Sequence, residues 1–520
     1  MPSPGFYAAD GSMNVTVVPG TSYTGLYAAD GSINVVKATG STYVGAYHPC
    51  GAWWVTPAIA PTIGALPIRA PDGSLYVSGT PFTNGAQRVN VVSGSLFGTA
   101  LPLLGNLVTR FSADAIPIQT NNSSLTSWTD SVNSIVAGTI VGTAPLYTTN
   151  RLNGKPSVKF NANGGLAIAT PGAMKTAIDS LDCTTLIVFR TLGTAGFGAL
   201  LAASAGGNAY MYVANGTNVN IFSGGFGSVI NIPYTGAAFS TLGSTSFSTT
   251  PTFSSSGALQ SLYVNGGAVS SSVATAIGTG GNTITIGNNA GNNFSCQAEI
   301  FDILVWNKPL TPAQYMQAQM WACDKYAQPY PWAGLTRFNV FFGDSITQGV
   351  GASDTVHQAP YLAAQTLGLS LGQWHNIAVG GISLNNMKTL ATTWVDPIPA
   401  LIGKKTAVTG FEWHNQQDTT TANGQLYLAP RKLIPNLQTC WGTSTSETAD
   451  PIANRATYDS AWDAAHTLNI DSYMPIHTDT HVGVDGSYAT FSTAGDGVHL
   501  TDATQPFLAT LFVNGINALP

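Results

Sequence analysis

Residues 338–347 contain the feature that most restricts how the C-terminal part of this chain can fold. Five residues with apolar or β-favouring side chains, Phe338 to Phe342, run directly into a Gly-Asp-Ser turn at 343–345. This pattern predicts a buried strand that ends at the turn and holds the Ser345 hydroxyl at the edge of a sheet. A serine becomes a nucleophile only with a base, a group that orients the base, and hydrogen-bond donors for an oxyanion.

Downstream of Ser345, strand-like apolar runs alternate with helix-like segments. Strands are predicted at 374–379, 407–413 and 471–476, helices at 360–367 and 458–466, and helix-like spacing with proline interruptions at 384–401. Alternating strands and helices predict a parallel sheet, and the active site of such a sheet lies at the carboxyl ends of its strands.

A base and its orienting group stand close together near the C-terminus. Asp496 precedes His499 by three residues in the Gly-rich stretch 495–501. At this spacing, a loop aspartate can orient the imidazole while the other ring nitrogen faces a nucleophile. Ser345, Asp496 and His499 are therefore the predicted catalytic residues. No metal or cofactor is expected, because a serine mechanism is complete without one.

Two of these segments resemble the first and last conserved blocks of the SGNH (GDSL) hydrolases. The matching residues are Gly-Asp-Ser-Ile-Thr at 343–347 and Asp-Gly-Val-His-Leu-Thr at 496–501, and Asn-Ile-Ala-Val-Gly-Gly at 376–381 is similar to the second block. The resemblance implies a three-layer, flavodoxin-like α/β domain over residues 334–520. It also implies that the backbone amides of Ser345 and Gly381 bind the oxyanion.

The third block departs from the Gly-x-Asn-Asp pattern of the family. The corresponding stretch, 410–418, reads Gly-Phe-Glu-Trp-His-Asn-Gln-Gln-Asp. Asn415 is the best candidate for the side-chain oxyanion donor, and Gln416 or Gln417 could serve instead. The stretch resembles the Trp-x-Gln-Gly-Glu segment of sialate-O-acetylesterase-like members, which points to carbohydrate O-acetyl esters. Glu412 is interpreted as a strand or rim residue.

The remaining histidines of this region are not predicted to be catalytic. His414, His477 and His481 are expected to be structural or to face the substrate, because Asp496 and His499 already supply the base and its orienting group.

Residues 1–105 contain a repeat. The pattern around Tyr-Ala-Ala-Asp-Gly-Ser at 7–12 returns at 27–32, and degraded copies follow at 45–56 and 67–78. Asp-Gly between two β-favouring runs predicts a small hairpin in each unit, and one hairpin buries too little apolar surface to stand alone. The units must therefore stack or lie against other subunits. They resemble repeats of phage tail fibres, which implies a fibre-like attachment segment; a flexible Gly-rich linker is the alternative.

Residues 106–333 predict a β-rich domain. Six strand-like runs, separated by Gly, Asn and Ser turns, lie at 157–160, 185–189, 210–213, 262–264, 283–286 and 299–306. Many short strands with regular turns favour a sandwich or jelly roll. Helical spacing follows at 310–326, with Thr311 as the N-cap and Pro312 in the first helical position. The domain resembles concanavalin A-like (laminin-G-like) jelly rolls, many of which bind glycans; a structural spacer is the alternative.

Composition excludes several classes of partner. Only 8% of the residues are charged, the net charge is −6, and no basic run is present, so nucleic acid is not an expected partner. No apolar run approaches the ~18 residues of a membrane span, and residues 1–7 do not form a secretory signal. The five cysteines include no Cys-x-x-Cys pair and are expected to be buried thiols.

Taken together, the sequence predicts a multidomain chain: β-hairpin repeats, a β-sandwich jelly roll and an α/β SGNH hydrolase. The expected protein is a virion-associated serine esterase that removes O-acetyl groups from a bacterial surface glycan. The repeats are expected to bind other virion proteins and to form a homotrimer. The main alternative is a non-enzymatic phage or prophage adhesin with an inactive hydrolase-like domain. A secreted plant-polymer esterase is a third possibility, which predicts a signal peptide and a monomer.

Overall fold

A computed structural model describes residues 14–16, 34–36 and 101–520, the last range with short gaps. The gaps are residues 162, 181, 194–197, 206–207, 215–217, 224–227, 235–238, 248–257, 275–282, 289–293, 417–419, 447–451 and 488–495. The chain divides into two compact units, Met1–Gly98 and Thr99–Pro520. The domain boundaries predicted at 105/106 and 333/334 stay predictions.

The described residues of the first unit form two short strands, β1 (Asn14–Thr16) and β2 (Asn34–Val36). They pair in parallel, with Asn14 opposite Asn34, the equivalent position of the next repeat. The first two repeats therefore contact each other through equivalent strands, as expected for units that need a neighbour. The predicted hairpin turns and the third and fourth repeats lie outside the described residues.

Residues 107–306 form a β-sandwich of two antiparallel sheets, with a two-stranded ribbon beside them. The strands are β3 (Leu107–Ser112), β4 (Ser123–Ser124), β5 (Trp128–Thr129), β6 (Val136–Ala137), β7 (Thr139–Gly142), β8 (Leu146–Leu152), β9 (Lys155–Phe160), β10 (Gly164–Ile168), β11 (Cys183–Thr191), β12 (Gly198–Ala205), β13 (Asn208–Ala214), β14 (Asn218–Ser223), β15 (Ser228–Pro233), β16 (Ser240–Phe247), β17 (Ala258–Val264), β18 (Gly267–Ala274), β19 (Thr283–Ile286) and β20 (Ala298–Trp306). One sheet has the order β15-β14-β13-β12-β19-β10-β7. The other has the order β18-β17-β16-β11-β20-β9-β8-β4, with β3 also paired to β20 and the ribbon formed by β5 and β6.

The sandwich core lies between the two sheets. Leu201 and Ile286 of the first sheet pack in one apolar cluster with Ile187 and Phe189 of the second. Leu186 and Val188, the alternate residues of β11, belong to a different cluster on the outer face of the second sheet. Because side chains alternate along a strand, β11 is buried on both faces and reads as a continuous apolar run.

Two α-helices and two short 3₁₀ segments accompany the sandwich. They are α1 (Gly172–Ser180), α2 (Pro312–Tyr326), Leu104–Asn106 and Ala113–Ala115. At the start of α2, the Thr311 hydroxyl accepts a hydrogen bond from the Gln314 amide, and the Gln314 side chain accepts one from the Thr311 amide. This capping box confirms Thr311 as the N-cap, with Pro312 in the first turn. Helix α2 covers the outer face of the second sheet.

The C-terminal part of the second unit is a parallel five-stranded sheet with helices. Its strands are β21 (Arg337–Phe341), β22 (Trp374–Asn376), β23 (Lys405–Gly410), β24 (Leu437–Gly442) and β25 (Ser472–Met474), in the order β22-β21-β23-β24-β25. The helices are α3 (Ser345–Gln348), α4 (Ala359–Thr366), α5 (Leu384–Trp394), α6 (Ile398–Ile402), α7 (Ala422–Lys432), α8 (Ile452–Ala465) and α9 (Gln505–Asn517), and 3₁₀ segments lie at Thr355–His357 and Ile476–Thr478. The predicted alternation of strands and helices is confirmed.

Both faces of the parallel sheet are covered by helices. Phe341 packs against Phe512 of α9, with ring centroids 5.5 Å apart. The next residue, Phe342, points to the opposite face and packs against Trp394 of α5 and Tyr427 of α7. This alternation explains why the run before the Gly-Asp-Ser turn is apolar at consecutive positions.

The sandwich and the parallel sheet meet at strands β18 and β22. The backbone amide of Ala268 donates a hydrogen bond of 2.7 Å to Nδ1 of His375, which is fully buried. A Cβ on Gly267 would lie 2.6 Å from the Trp374 carbonyl oxygen, so only glycine fits there. Helix α2 packs between the second sheet of the sandwich and helices α5 and α6.

Among the described residues, no helix is long and apolar enough to cross a membrane. The four cysteines of these residues, Cys183, Cys296, Cys323 and Cys440, are buried free thiols, as expected.

The contact at His375 makes the stability of the fold depend on pH. Because Nδ1 accepts a hydrogen bond, the ring must be neutral in the folded protein, and burial lowers the pKa of His375 to about 3 from 6.5. The free energy of unfolding that neutral His375 contributes is fully present above pH 6.5. It is lost as pH falls toward the pKa of the folded protein, since only the unfolded chain then binds the proton.

His375→Asn retains an acceptor that does not titrate. Between pH 7 and pH 5, wild-type protein should lose about 2 kcal/mol more unfolding free energy than His375→Asn in chemical denaturation. Equal losses would contradict this interpretation.

Candidate active site

Ser345 stands at the carboxyl end of β21, the strand next to the edge strand β22. A Cβ on Gly343 would lie 2.3 Å from the Thr347 hydroxyl oxygen and 2.8 Å from the Phe411 carbonyl oxygen, so the turn requires glycine. Oδ1 of Asp344 accepts hydrogen bonds from the amides of Ile346 and Thr347 and thereby caps the short helix α3. Ser345 is the first residue of that helix and is partly exposed.

His499 and Asp496 lie on the loop before α9 and reach Ser345 across 154 residues of sequence. Nε2 of His499 is 2.9 Å from Oγ of Ser345. Nδ1 of His499 is 2.8 Å from Oδ2 of Asp496. Oδ1 of Asp496 accepts hydrogen bonds from the amides of Val498 and His499, so this carboxylate also fixes its own loop. The structure brings the three predicted residues together in the order that general-base activation of a serine requires.

The segment after β22 runs beside the serine turn. The Val379 amide donates a hydrogen bond of 2.9 Å to the Gly343 carbonyl oxygen. A Cβ on Gly380 would lie 3.6 Å from Cβ of Ser345, and Gly381 has a φ of 74°, which favours glycine. The structure therefore places Gly380 next to the serine, and Gly381 follows it. The assignment of the Gly381 and Ser345 amides as oxyanion donors stays a prediction.

Asn376 anchors this segment, a role that the sequence did not indicate. Its side chain is fully buried and donates a hydrogen bond of 3.1 Å to the carbonyl oxygen of Gln348, the last residue of α3. The family resemblance at 376–381 was the only signal that singled it out.

Asn415, the predicted side-chain donor, lies on the turn 414–416 that follows β23. Its side chain is exposed, and among the described residues no hydrogen bond joins it to Ser345. Oε1 of Gln416 accepts a hydrogen bond of 3.0 Å from the Asn385 amide, and Gln417 lies outside the described residues. The choice of Asn415 stays a prediction.

The interpretation of Glu412 as a strand or rim residue is wrong. Strand β23 ends at Gly410, and Glu412 is only 2% exposed. Oε1 of Glu412 accepts a hydrogen bond of 2.9 Å from the Asn415 amide. Burial, reinforced by the Asp344 carboxylate, raises the pKa of Glu412 to about 8. Burial also raises the pKa of Asp344, and the nearby His414 and His499 and the amides of α3 oppose that rise.

The three other histidines of the site region hold neighbouring side chains. Nε2 of His414 is 2.9 Å from the Thr445 hydroxyl oxygen. His477 lies between Thr443 and Asp463, at 3.0 and 3.2 Å. His481 stacks on Phe507 with ring centroids 3.7 Å apart. These contacts fit the expected structural roles.

The described residues offer no obvious place for a metal ion. No group of three or more His, Cys, Asp or Glu side chains among them could hold one. The chemistry available at the site is that of a serine, a histidine and an aspartate.

No protein-family model and no curated protein sequence matches this chain. Among solved structures, domain 4 of AbnA, an extracellular GH43 arabinanase from Geobacillus stearothermophilus, is similar over 41% of this chain and 98% of its own, at 15% identity and a TM-score of 0.31. A sialidase from Trypanosoma rangeli, solved with sialic acid, is similar over 43% of this chain and 34% of its own, at 13% identity and a TM-score of 0.29. The binding domain of botulinum neurotoxin DC, solved with SialylT, is similar over 42% of this chain and 51% of its own, at 9% identity and a TM-score of 0.29.

The geometry predicts a serine whose reactivity depends on His499. An aryl fluorophosphonate should label wild-type protein at Ser345, and His499→Ala should react at least ~10²-fold more slowly because the general base is gone. Mass spectrometry of the labelled peptide checks the position. Ser444, buried and bonded to Asp459, provides the control: Ser444→Ala should label normally. Equal labelling of wild type and His499→Ala would contradict the assignment.

Proposed function

We propose that this chain is a virion-associated serine esterase of the SGNH type that removes acyl groups, chiefly O-acetyl, from a bacterial surface polysaccharide. The observation that carries the proposal is the relay from Ser345 Oγ through His499 to Asp496, with distances of 2.9 and 2.8 Å. Ser345 comes from the turn after β21, and Asp496 and His499 come together from the loop before α9, so the contact between serine and histidine joins two segments 154 residues apart.

The architecture around the relay supports the SGNH assignment. In order of appearance along the chain, the five parallel strands lie in the order 2-1-3-4-5, and helices cover both faces of the sheet. That is the flavodoxin-like doubly wound arrangement, in which ligands bind outside the carboxyl ends of the strands at the point where the strand order reverses. Strands β21 and β23 flank this point, and Ser345 follows the first of them.

In the proposed first step, Nε2 of His499 takes the proton from Oγ of Ser345 as the oxygen attacks the ester carbonyl carbon. Asp496 holds Nδ1 and stabilises the imidazolium that forms. The amides of Ser345 and Gly381 and the side chain of Asn415 receive the oxyanion. The tetrahedral intermediate collapses, the carbon–oxygen bond to the sugar breaks, and His499 gives its proton to the departing sugar hydroxyl.

In the second step, water hydrolyses the acyl-enzyme. His499 removes a proton from the attacking water, the same donors hold the second oxyanion, and acetate leaves as Oγ of Ser345 regains a proton. The reaction consumes one water and yields a free sugar hydroxyl, one acetate and one proton, so no cofactor is required.

The proposed substrate and setting rest on the domain order and the composition. The third block resembles carbohydrate O-acetylesterases, and a jelly roll that resembles glycan-binding domains precedes the hydrolase. The N-terminal repeats pair through equivalent strands, which suits a stacked attachment segment. With 8% charged residues, the surface must be built largely from neutral polar groups, as in virion fibres.

Acetate release tests the enzymatic part of the proposal. Purified full-length protein should release acetate from O-acetylated capsular or O-antigen polysaccharides, measured by an enzyme-coupled acetate assay, and Ser345→Ala should be slower by at least ~10⁴-fold. Retention of the polysaccharide on immobilised protein without acetate release would favour the adhesin instead. Equal rates for wild type and Ser345→Ala would exclude the serine mechanism.

We further propose that the chain assembles as a homotrimer, since short repeats of this kind bury too little apolar surface as single copies. Analytical ultracentrifugation of the full-length protein should then show about three times the monomer mass of 53.9 kDa. A stable monomer at micromolar concentration would contradict the trimer and leave the esterase proposal intact.

A further inference from the structure

The turn 414–416 carries the proposed side-chain oxyanion donor, and one buried carboxyl group fixes its backbone. Oε1 of Glu412 accepts a hydrogen bond of 2.9 Å from the Asn415 amide, and the nearby Gln416 amide opposes the rise in the pKa of this carboxyl group. A buried carboxyl group that binds the backbone amide of a turn sets the local backbone direction. The Asn415 side chain itself stays exposed on this fixed turn.

Contacts from three other segments hold the turn and its approach. The hydroxyl of Tyr458, on α8, donates a hydrogen bond of 2.9 Å to the Glu412 carbonyl oxygen. The Gln416 side chain binds the first turn of α5, and His414 lies 2.9 Å from the Thr445 hydroxyl after β24. The Asn415 amide itself is bound by the Glu412 carboxyl group, and the Gln416 amide closes the turn by donating to the Trp413 carbonyl oxygen.

The Glu412 side chain interacts with a second buried carboxyl group, that of Asp344. The Asp344 carboxyl group, on the turn that carries Ser345, is fully buried, and its Oδ2 has no hydrogen-bond partner among the described residues. Two buried carboxyl groups therefore interact behind the serine, and burial together with Asp344 raises the pKa of Glu412. The other titratable groups that face Glu412 are His414, on the same turn, and Tyr458, on α8.

We propose that Glu412 is a positioning residue of the esterase, which holds the turn so that the Asn415 amide group faces the oxyanion. This inference rests on the function proposed above. A buried carboxyl group lowers the free energy of unfolding unless its hydrogen bonds compensate, so the fold alone gives no reason for Glu412. A role in positioning Asn415 would give such a reason. The neutral form of Glu412 retains a carbonyl oxygen that accepts the Asn415 amide and adds no negative charge beside the developing oxyanion.

A double-mutant cycle tests the connection to Asn415, with p-nitrophenyl acetate as the substrate. Asn415→Ala should lower kcat by ~10²–10³-fold, the usual cost of losing one oxyanion donor. Glu412→Ala should lower kcat by ~10–10²-fold and change KM little, because the oxyanion exists only in the transition state. The double variant should be no slower than Asn415→Ala alone. Losses that multiply would overturn the proposal, since Glu412 would then act independently of Asn415.

The conservative variant separates positioning from a general loss of structure. Glu412→Gln keeps the carbonyl oxygen that accepts the Asn415 amide, so its kcat at pH 7 should stay within ~3-fold of wild type. Wild-type kcat should fall above pH 8, as Glu412 ionises beside Asp344, whereas Glu412→Gln should show no such fall. A Glu412→Gln variant as slow as Glu412→Ala, or with the pH profile of wild type, would overturn the proposal.

Two comparisons keep failure of this inference distinct from failure of the proposed function. If Ser345→Ala is as active as wild type, the esterase mechanism itself is wrong. If Ser345→Ala is inactive but Glu412→Ala matches wild type, only the role of Glu412 is wrong. Asp463→Asn removes an exposed carboxylate from α8 and should leave kcat and its pH profile unchanged. The Glu412→Gln kinetics decide the outcome if Glu412→Ala does not fold.

Discussion

The site depends on the parallel direction of the strands in the C-terminal sheet. Strand β21 lies between β22 and β23, and all three run the same way. The loops that follow these three strands therefore lie at the same edge of the sheet. This brings together Ser345, the Gly380–Gly381 pair and the turn 414–416. An antiparallel neighbour would send one of these segments to the opposite edge. Parallel strands also need crossover connections, and here helices in these connections cover both faces of the sheet and exclude water from its core.

The sequence was most informative where a structure needs particular residues at fixed spacing. Asp496 and His499 could be recognised because three residues in a loop suffice to join a carboxylate to an imidazole. Thr311 and Pro312 could be recognised because a helix start leaves amides that need a cap. All six strand-like runs predicted between 157 and 306 lie within observed strands. In each case the determining contacts are local or repeat with a fixed period.

The sequence was least informative where partners are distant and follow no period. The strand predicted at 407–413 extends three residues beyond the observed end of β23 at Gly410. Glu412 was therefore placed on a strand, where an acidic residue is usually exposed. Tyr458 of α8 and Asp344 of the serine turn lie against Glu412, and both come from elsewhere in the chain. The contact between Ala268 and His375 spans 107 residues, and neither residue type signals such a pairing. The role of Asn376 in fixing α3 was hidden for the same reason.

The junction between sandwich and parallel sheet also bears on how such a chain can evolve. Helix α2 is built after the last strand of the sandwich, yet it buries one side against α5 and α6. Gly267 lies against the Trp374 backbone, and the Ala268 amide donates a hydrogen bond to His375. A recombination event that exchanged only one of the two parts would leave apolar helix faces and a buried histidine exposed to water. The sandwich and the parallel sheet are therefore expected to be inherited together, as one unit.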